Sequence, residues 1–69
     1  MNIDLTSIIS VTDANQNFSR LAKMVQRNGK AYIFKNNKPK YVMLDIDNLE
    51  AINDVLSELL ADKKKKGAK

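Results

Sequence analysis

Among side chains able to do chemistry, this 69-residue sequence supplies amines, guanidinium groups and carboxylates in quantity. It has no histidine and no cysteine. The imidazole base, the thiolate nucleophile and the usual zinc ligands are therefore missing. Asp45 and Asp47 stand two apart, a spacing that suits a polar strand end and a helix cap better than an acid–base pair. Two glycines, far from each other, make no phosphate-cradling loop. No catalysis is expected, and no cofactor or metal. What remains is binding by charge. From Ala14 to Leu44 run seven bases without an acid: Arg20, Lys23, Arg27, Lys30, Lys35, Lys38 and Lys40. From Asp45 to Asp62 run six acids without a base, before Lys63–Lys66 reverse the sign again. Segregation of this kind forgoes local ion pairs, each worth only about 0.3 kcal/mol when exposed on a helix. In exchange it creates one-signed fields that steer partners of opposite charge.

Two clusters carry the basic field. One lies on a polar helical face, with Asn15, Gln16, Ser19, Arg20, Lys23, Gln26 and Arg27. The other is the turn Lys35-Asn36-Asn37-Lys38. Cations mixed with amides suit a nucleic acid: the cations take phosphates and the amides can read base edges. The acidic counterpart is Glu50, Asp54, Glu58 and Asp62, spaced i, i+4, i+8, i+12, which suits a basic protein partner.

These clusters need elements to hold them. Ile8–Val11 reads as a short strand, with Thr12 or Asp13 as the cap of a following helix. Ala14, Phe18, Leu21, Ala22 and Val25 form one apolar face of a single helix. Asn28-Gly29 ends it, with Gly29 in the left-handed conformation. Lys30–Lys35 and Tyr41–Ile46 alternate as strands and pair as an antiparallel hairpin, Asn37 taking positive φ and Pro39 lying at the turn exit or on an edge. Asp47 and Glu50 have the spacing of a capping box. Leu49, Ile52, Leu56, Leu59 and Leu60 then give the apolar face of a second helix. The expected fold is α+β, a small β-α-β-β-α domain with a three-stranded antiparallel sheet and both helices on one face. A chain this short without disulfides gains most by self-association, so a dimer is expected. The division expected is a folded part over 1–62 and a basic flexible tail over 63–69.

The string Ile9-Ser10-Val11-Thr12-Asp13-Ala14-Asn15-Gln16-Asn17-Phe18-Ser19 resembles the opening of the Phd/YefM antitoxins, a strand followed by an R-x-N-[LF]-S helix start. Asn17, Phe18 and Ser19 match, and Asn15 stands where arginine is usual. Lys35-Asn36-Asn37-Lys38-Pro39 resembles the family's R-x-N-G-K-P turn, with Asn37 in place of glycine. Val42-Met43-Leu44 and Asp47-Asn48-Leu49-Glu50 are similar to the apolar strand and acidic helix start that follow. The resemblance covers about residues 8–60. It implies a homodimer that represses its own operon by binding palindromic operator DNA, and that binds and neutralises a cognate toxin; a dimer of dimers stays open. It implies DNA contacts at Asn15, Gln16 and Ser19 and at Lys35, with Asn36 and Lys38 beside them; the bare charge layout adds Arg20 and Lys23. Glu50, Asp54, Glu58 and Asp62 are the expected toxin-binding residues. Asn15 lacks the guanidinium fork that grips guanine and suits adenine instead. Lys35 keeps the charge but loses the planar fork, which favours a phosphate role.

The alternative class is a non-catalytic module that sequesters a basic protein without specific DNA binding. No stretch is long and apolar enough for a membrane span, and MNIDLTSIIS lacks the basic start of a signal peptide. The expected location is the cytoplasm.

Overall fold

The computed structural model describes residues 4–67, with side chains through Ala61. A 3-10 turn over Leu5–Ser7 leads into β1 (Ile8–Ser10), α1 (Val11–Gln16), α2 (Phe18–Asn28), β2 (Lys30–Lys35), β3 (Lys38–Leu44) and α3 (Leu49–Gly67). The expected boundary at residue 62 falls inside α3, and the side chains of Asp62 and Lys63–Lys66 lie outside the described residues.

The first helical segment departs from the single expected helix in two ways. Its cap is Ser10, not Thr12 or Asp13. Ser10 still has extended backbone, and its Oγ accepts from the Asp13 N–H at 3.0 Å. A serine at the last strand position thus satisfies a donor that the helix leaves orphaned. The segment then breaks at Asn17 (φ −140°, ψ 74°). The Asn17 N–H donates to the Asp13 carbonyl at 2.8 Å and closes α1. Its side-chain Oδ1 accepts from the Arg20 N–H at 3.1 Å and opens α2. Asparagine competes with helix propagation in this way because its side chain substitutes for a backbone acceptor. The break has a cost in burial: Phe18, expected on the apolar face, is 60% exposed.

Helix α2 buries Leu21 and Val25 and ends as expected. Gly29 takes φ +85°, and its N–H donates to the Val25 carbonyl at 2.7 Å. Leu21 and Val25 form a core cluster with Ile9, Ala14 and Ala31, packed also by Met24, Ile33 and Met43.

The sheet is mixed rather than antiparallel, in the order β1-β2-β3. Strand β1 runs parallel to β2, with Ile9 level with Ile33 and Ser10 with Phe34. The two helices between these strands form a crossover, which brings the chain back to pair in the same direction. Strands β2 and β3 are the expected antiparallel hairpin. Both turn residues, Asn36 (φ 54°) and Asn37 (φ 64°), are left-handed, the requirement of a two-residue type I′ turn. Beyond the turn Phe34 pairs with Pro39 and Ile33 with Tyr41, so Lys40 is the extra residue of a bulge.

The helices are not gathered on one face. Ala31, Ile33, Ile9 and Met43 share the side covered by α1 and α2. Tyr32 alternates to the other side, where its hydroxyl donates to Glu58 of α3 at 3.4 Å. Helix α3 is capped by Asn48 rather than Asp47: the Ala51 N–H donates to Asn48 Oδ1 at 3.0 Å. Asp47 is one residue too early because Asp45 folds the linker, accepting the Asp47 N–H on Oδ1 and the Asn48 N–H on its carbonyl, both at 2.9 Å. Val55 is 1% exposed and anchors α3. The expected apolar face is largely open, since Leu49, Leu56 and Leu60 are 73%, 51% and 63% exposed.

Candidate nucleic-acid interface

Strand direction brings the start of the first helical segment and the hairpin tip to the same end of the sheet. Because β1 and β2 run parallel, Ser10 and Phe34 lie side by side at their ends. The next residue on one strand is Val11, the start of α1. The next on the other is Lys35, the start of the hairpin tip. Lys35 follows Ala31 and Ile33 on the face that α1 and α2 cover, and Lys38 is its direct cross-strand partner. Two ammonium groups at opposed positions repel, at a cost of a few tenths of a kcal/mol. Lys35, Asn36 and Lys38 are all exposed.

The helical residues are exposed as well. Asn15 and Gln16 end α1, and Ser19, Arg20 and Lys23 occupy the first half of α2. A shallow groove of about 440 Å³ runs along α2 and gathers Asn17, Ser19, Arg20, Lys23 and Arg27. Asn15 and Gln16 do not line it, nor do the hairpin residues. The Asn28 side chain donates to the Thr6 carbonyl at 2.9 Å and ties the early turn to the far end of α2. Arg20 is partly engaged: its Nη1 lies 3.6 Å from Asp13 Oδ2, with both side chains about half exposed. Such a pair is weak and yields readily to a competing anion. Arg27, on the basic helical face but outside the expected contact residues, lines the groove as well. Its signal was its spacing, four residues after Lys23 on the same helical face.

The acidic set divides. Glu50 and Asp54 are exposed and line a smaller groove of about 270 Å³ opposite Arg27 and Lys30, where α3 meets the end of α2. The contact there is close. A Cβ on Gly29 would lie 3.2 Å from the Ala51 Cβ. Glu58 does not belong to a free stripe, because it is half-buried and accepts from Tyr32. Burial, and then the Glu58 charge, push the Tyr32 hydroxyl above its ordinary pKa. Asp62 lies outside the described side chains.

Asp45 is spent on the turn before α3, as described above. Among the described residues no group of three or more Asp, Glu, His or Cys is placed to hold a metal, and no helix is long and apolar enough to cross a membrane. The arrangement offers cations and amides along α2 and at the hairpin tip, and carboxylates with leucines on the last helix.

Comparison with known proteins adds one finding. The family model described as "Antitoxin Phd_YefM, type II toxin-antitoxin system" matches residues 6–68. No curated protein and no solved structure matches the chain.

Proposed function

The chain belongs to the Phd/YefM family of type II antitoxins, and from that premise we propose that it is a homodimeric operator-binding repressor that also neutralises a cognate toxin. The observation that supports DNA binding is the convergence at one end of the sheet. The start of α1 and the Lys35–Lys38 hairpin tip lie there on one face, and the stretch that follows the first turn of α1, from Ala14 to Leu44, carries seven bases and no acid. In this reading Asn15, Gln16 and Ser19 read bases, while Arg20, Lys23, Lys35 and Lys38 hold phosphates and Asn36 supports the tip. Arg27 joins the phosphate set through the groove. A two-fold dimer calls for a palindromic operator.

Toxin binding is assigned to α3, the acidic helix, with Glu50 and Asp54 as its free carboxylates. Glu58 contributes indirectly, by holding α3 in place through Tyr32. Asp62 extends the same helical stripe by sequence. The protein acts in the cytoplasm, where both its operator and its toxin would be found, and it works by binding rather than by catalysis.

Titration of labelled upstream DNA tests the first half of the reading. If about six of the fourteen bases in the Ala14–Leu44 stretches of two copies reach phosphates, the log–log salt slope is roughly −5. A palindrome-preferring, steeply salt-sensitive complex is the expected result. No sequence preference at micromolar protein would leave the bare protein-sequestering module as the better reading.

A further inference from the structure

Resting on the DNA-binding reading above, we propose that Asp13 determines specificity: its carboxylate accepts from a base amine, cytosine N4 by preference, and penalises a duplex that lacks one there. From Leu5 to Leu44 Asp13 is the only acid among seven bases. It precedes Gln16 by three residues on α1. Residues at that spacing are neighbours on one side of a helix, and Gln16 is one of the residues assigned above to base reading. A negative charge in that place is wrong for a phosphate and right for an amine.

The fold makes little use of this carboxylate. At the break between α1 and α2 the Asp13 backbone does the structural work. Its N–H donates to Ser10 Oγ at 3.0 Å, and its carbonyl accepts from the Asn17 N–H at 2.8 Å. Alanine or asparagine would keep both bonds. The side chain is 54% exposed, and its Oδ2 lies 3.6 Å from Arg20 Nη1, across the break. The Arg20 N–H is held by Asn17 Oδ1. The root of the arginine is thus fixed, while its guanidinium is held by an exposed ion pair.

Phosphate binding and base reading are thereby coupled. In the free protein Asp13 engages Arg20. When a phosphate takes Arg20, Asp13 loses its counter-charge beside a polyanion. An ionised carboxylate can only accept hydrogen bonds. In the major groove guanine and thymine present acceptors, and adenine sets its N7 acceptor next to its N6 amine. The cytosine edge offers N4 alone, which suits the carboxylate best. Where no amine meets it, the released charge stays unpaired and opposes the Arg20–phosphate contact. Asp13 therefore weakens binding to most sequences and weakens it least at the right one.

The test compares labelled upstream DNA with a scrambled duplex of the same length. Asp13→Ala should bind the scrambled duplex about 5-fold more tightly than the wild type does. Its ratio of upstream to scrambled affinity should fall about 10-fold or more. Replacing the upstream base pairs one by one locates the contact. The wild type should lose affinity at one symmetric C·G pair to which Asp13→Ala is indifferent. Asp13→Asn should show the same gain on scrambled DNA and shift the preference at that pair towards adenine. In an Arg20→Ala background, Asp13→Ala should still erase the preference, which separates base reading from restraint of the arginine. A carboxylate that only stabilises the start of α1 would lower the melting temperature on removal and leave the ratio unchanged. An unchanged or raised ratio in Asp13→Ala, or a preference already erased by Arg20→Ala alone, would overturn the proposal and leave operator binding intact. A wild type that does not prefer upstream DNA would overturn both.

Discussion

The hairpin tip and α3 use charged residues in opposite ways. At the tip, geometry is fixed by the backbone: two left-handed asparagines make a tight turn, and Lys35 and Lys38 are left exposed with no structural duty. In α3 and the loop before it the charged residues are partly drawn into the structure, since Glu58 holds Tyr32 and Asp45 organises the loop. A charge that the fold does not use is free for a partner. A charge that the fold uses changes stability and binding together. The difference separates two residues of the same type, such as Glu50 and Glu58, which the sequence alone presents as equivalent.

The comparison can be broken most forcefully at the basic end. The triple substitution Arg20→Ala, Lys23→Ala, Lys35→Ala should weaken operator binding by about 100-fold at physiological salt and reduce the salt slope by roughly 2 to 3 units. Its thermal unfolding should barely move, since exposed substitutions usually stay within about 0.5 kcal/mol each. A large drop in melting temperature would show that these cations hold the fold. At the joint between the two regions, Gly29→Ala should cost about 1–2 kcal/mol in denaturant unfolding. The left-handed φ is costly for any side chain, and the new Cβ would press on Ala51. An unchanged midpoint would mean that α3 does not rest on the end of α2.

The smallest effect sharpens the contrast within α3. Tyr32→Phe removes the hydrogen bond to Glu58 and should cost about 1 kcal/mol. It also carries a pH signature. The hydroxyl is held above its ordinary pKa in the folded chain, by burial first and by Glu58 second. The unfolded chain therefore loses this proton first as pH rises. The stabilisation is complete below about pH 10 and is lost as pH climbs through the raised folded value. Melting temperatures from pH 8 to pH 11 should fall more steeply for the wild type than for Tyr32→Phe. Parallel curves would remove Glu58 from its anchoring role.

Much of this fold was legible from local chemistry. Gly29 after Asn28 marked the end of α2, and Asn-Asn between two alternating runs marked the hairpin. The break at Asn17 was not legible, because an asparagine inside a helical pattern is compatible with continuation until its side chain is seen to cap the next helix. The direction of β1 was missed for a different reason. A three-residue strand carries no mark of its polarity, which is set by how the intervening helices cross over. The orientation of α3 was obscured by abundance. Its apolar residues span so wide an arc that Val55, outside the expected apolar face, proved to be the buried one. The site followed the same rule: exposed bases were identifiable by type and order, whereas Glu58 could be assigned only once Tyr32 was placed against it.

The bulge at Lys40 makes the hairpin sensitive to one kind of mutation and tolerant of another. Because of that extra residue, Tyr41 is level with Ile33 and Met43 with Ala31, on the core side. Replacing the Lys40 side chain should matter little, since it is exposed and outside the pairing. Removing the residue should also be tolerated, because the pairs on either side of it close into a regular ladder with Met43 still level with Ala31. Inserting a further residue is different: a strand repeats every two residues, so the added one exchanges its two faces and turns Met43 outward. In evolutionary terms this stretch is free to drift in spelling and to lose its extra residue but not to gain another, and single-codon insertions there should be purged where substitutions persist.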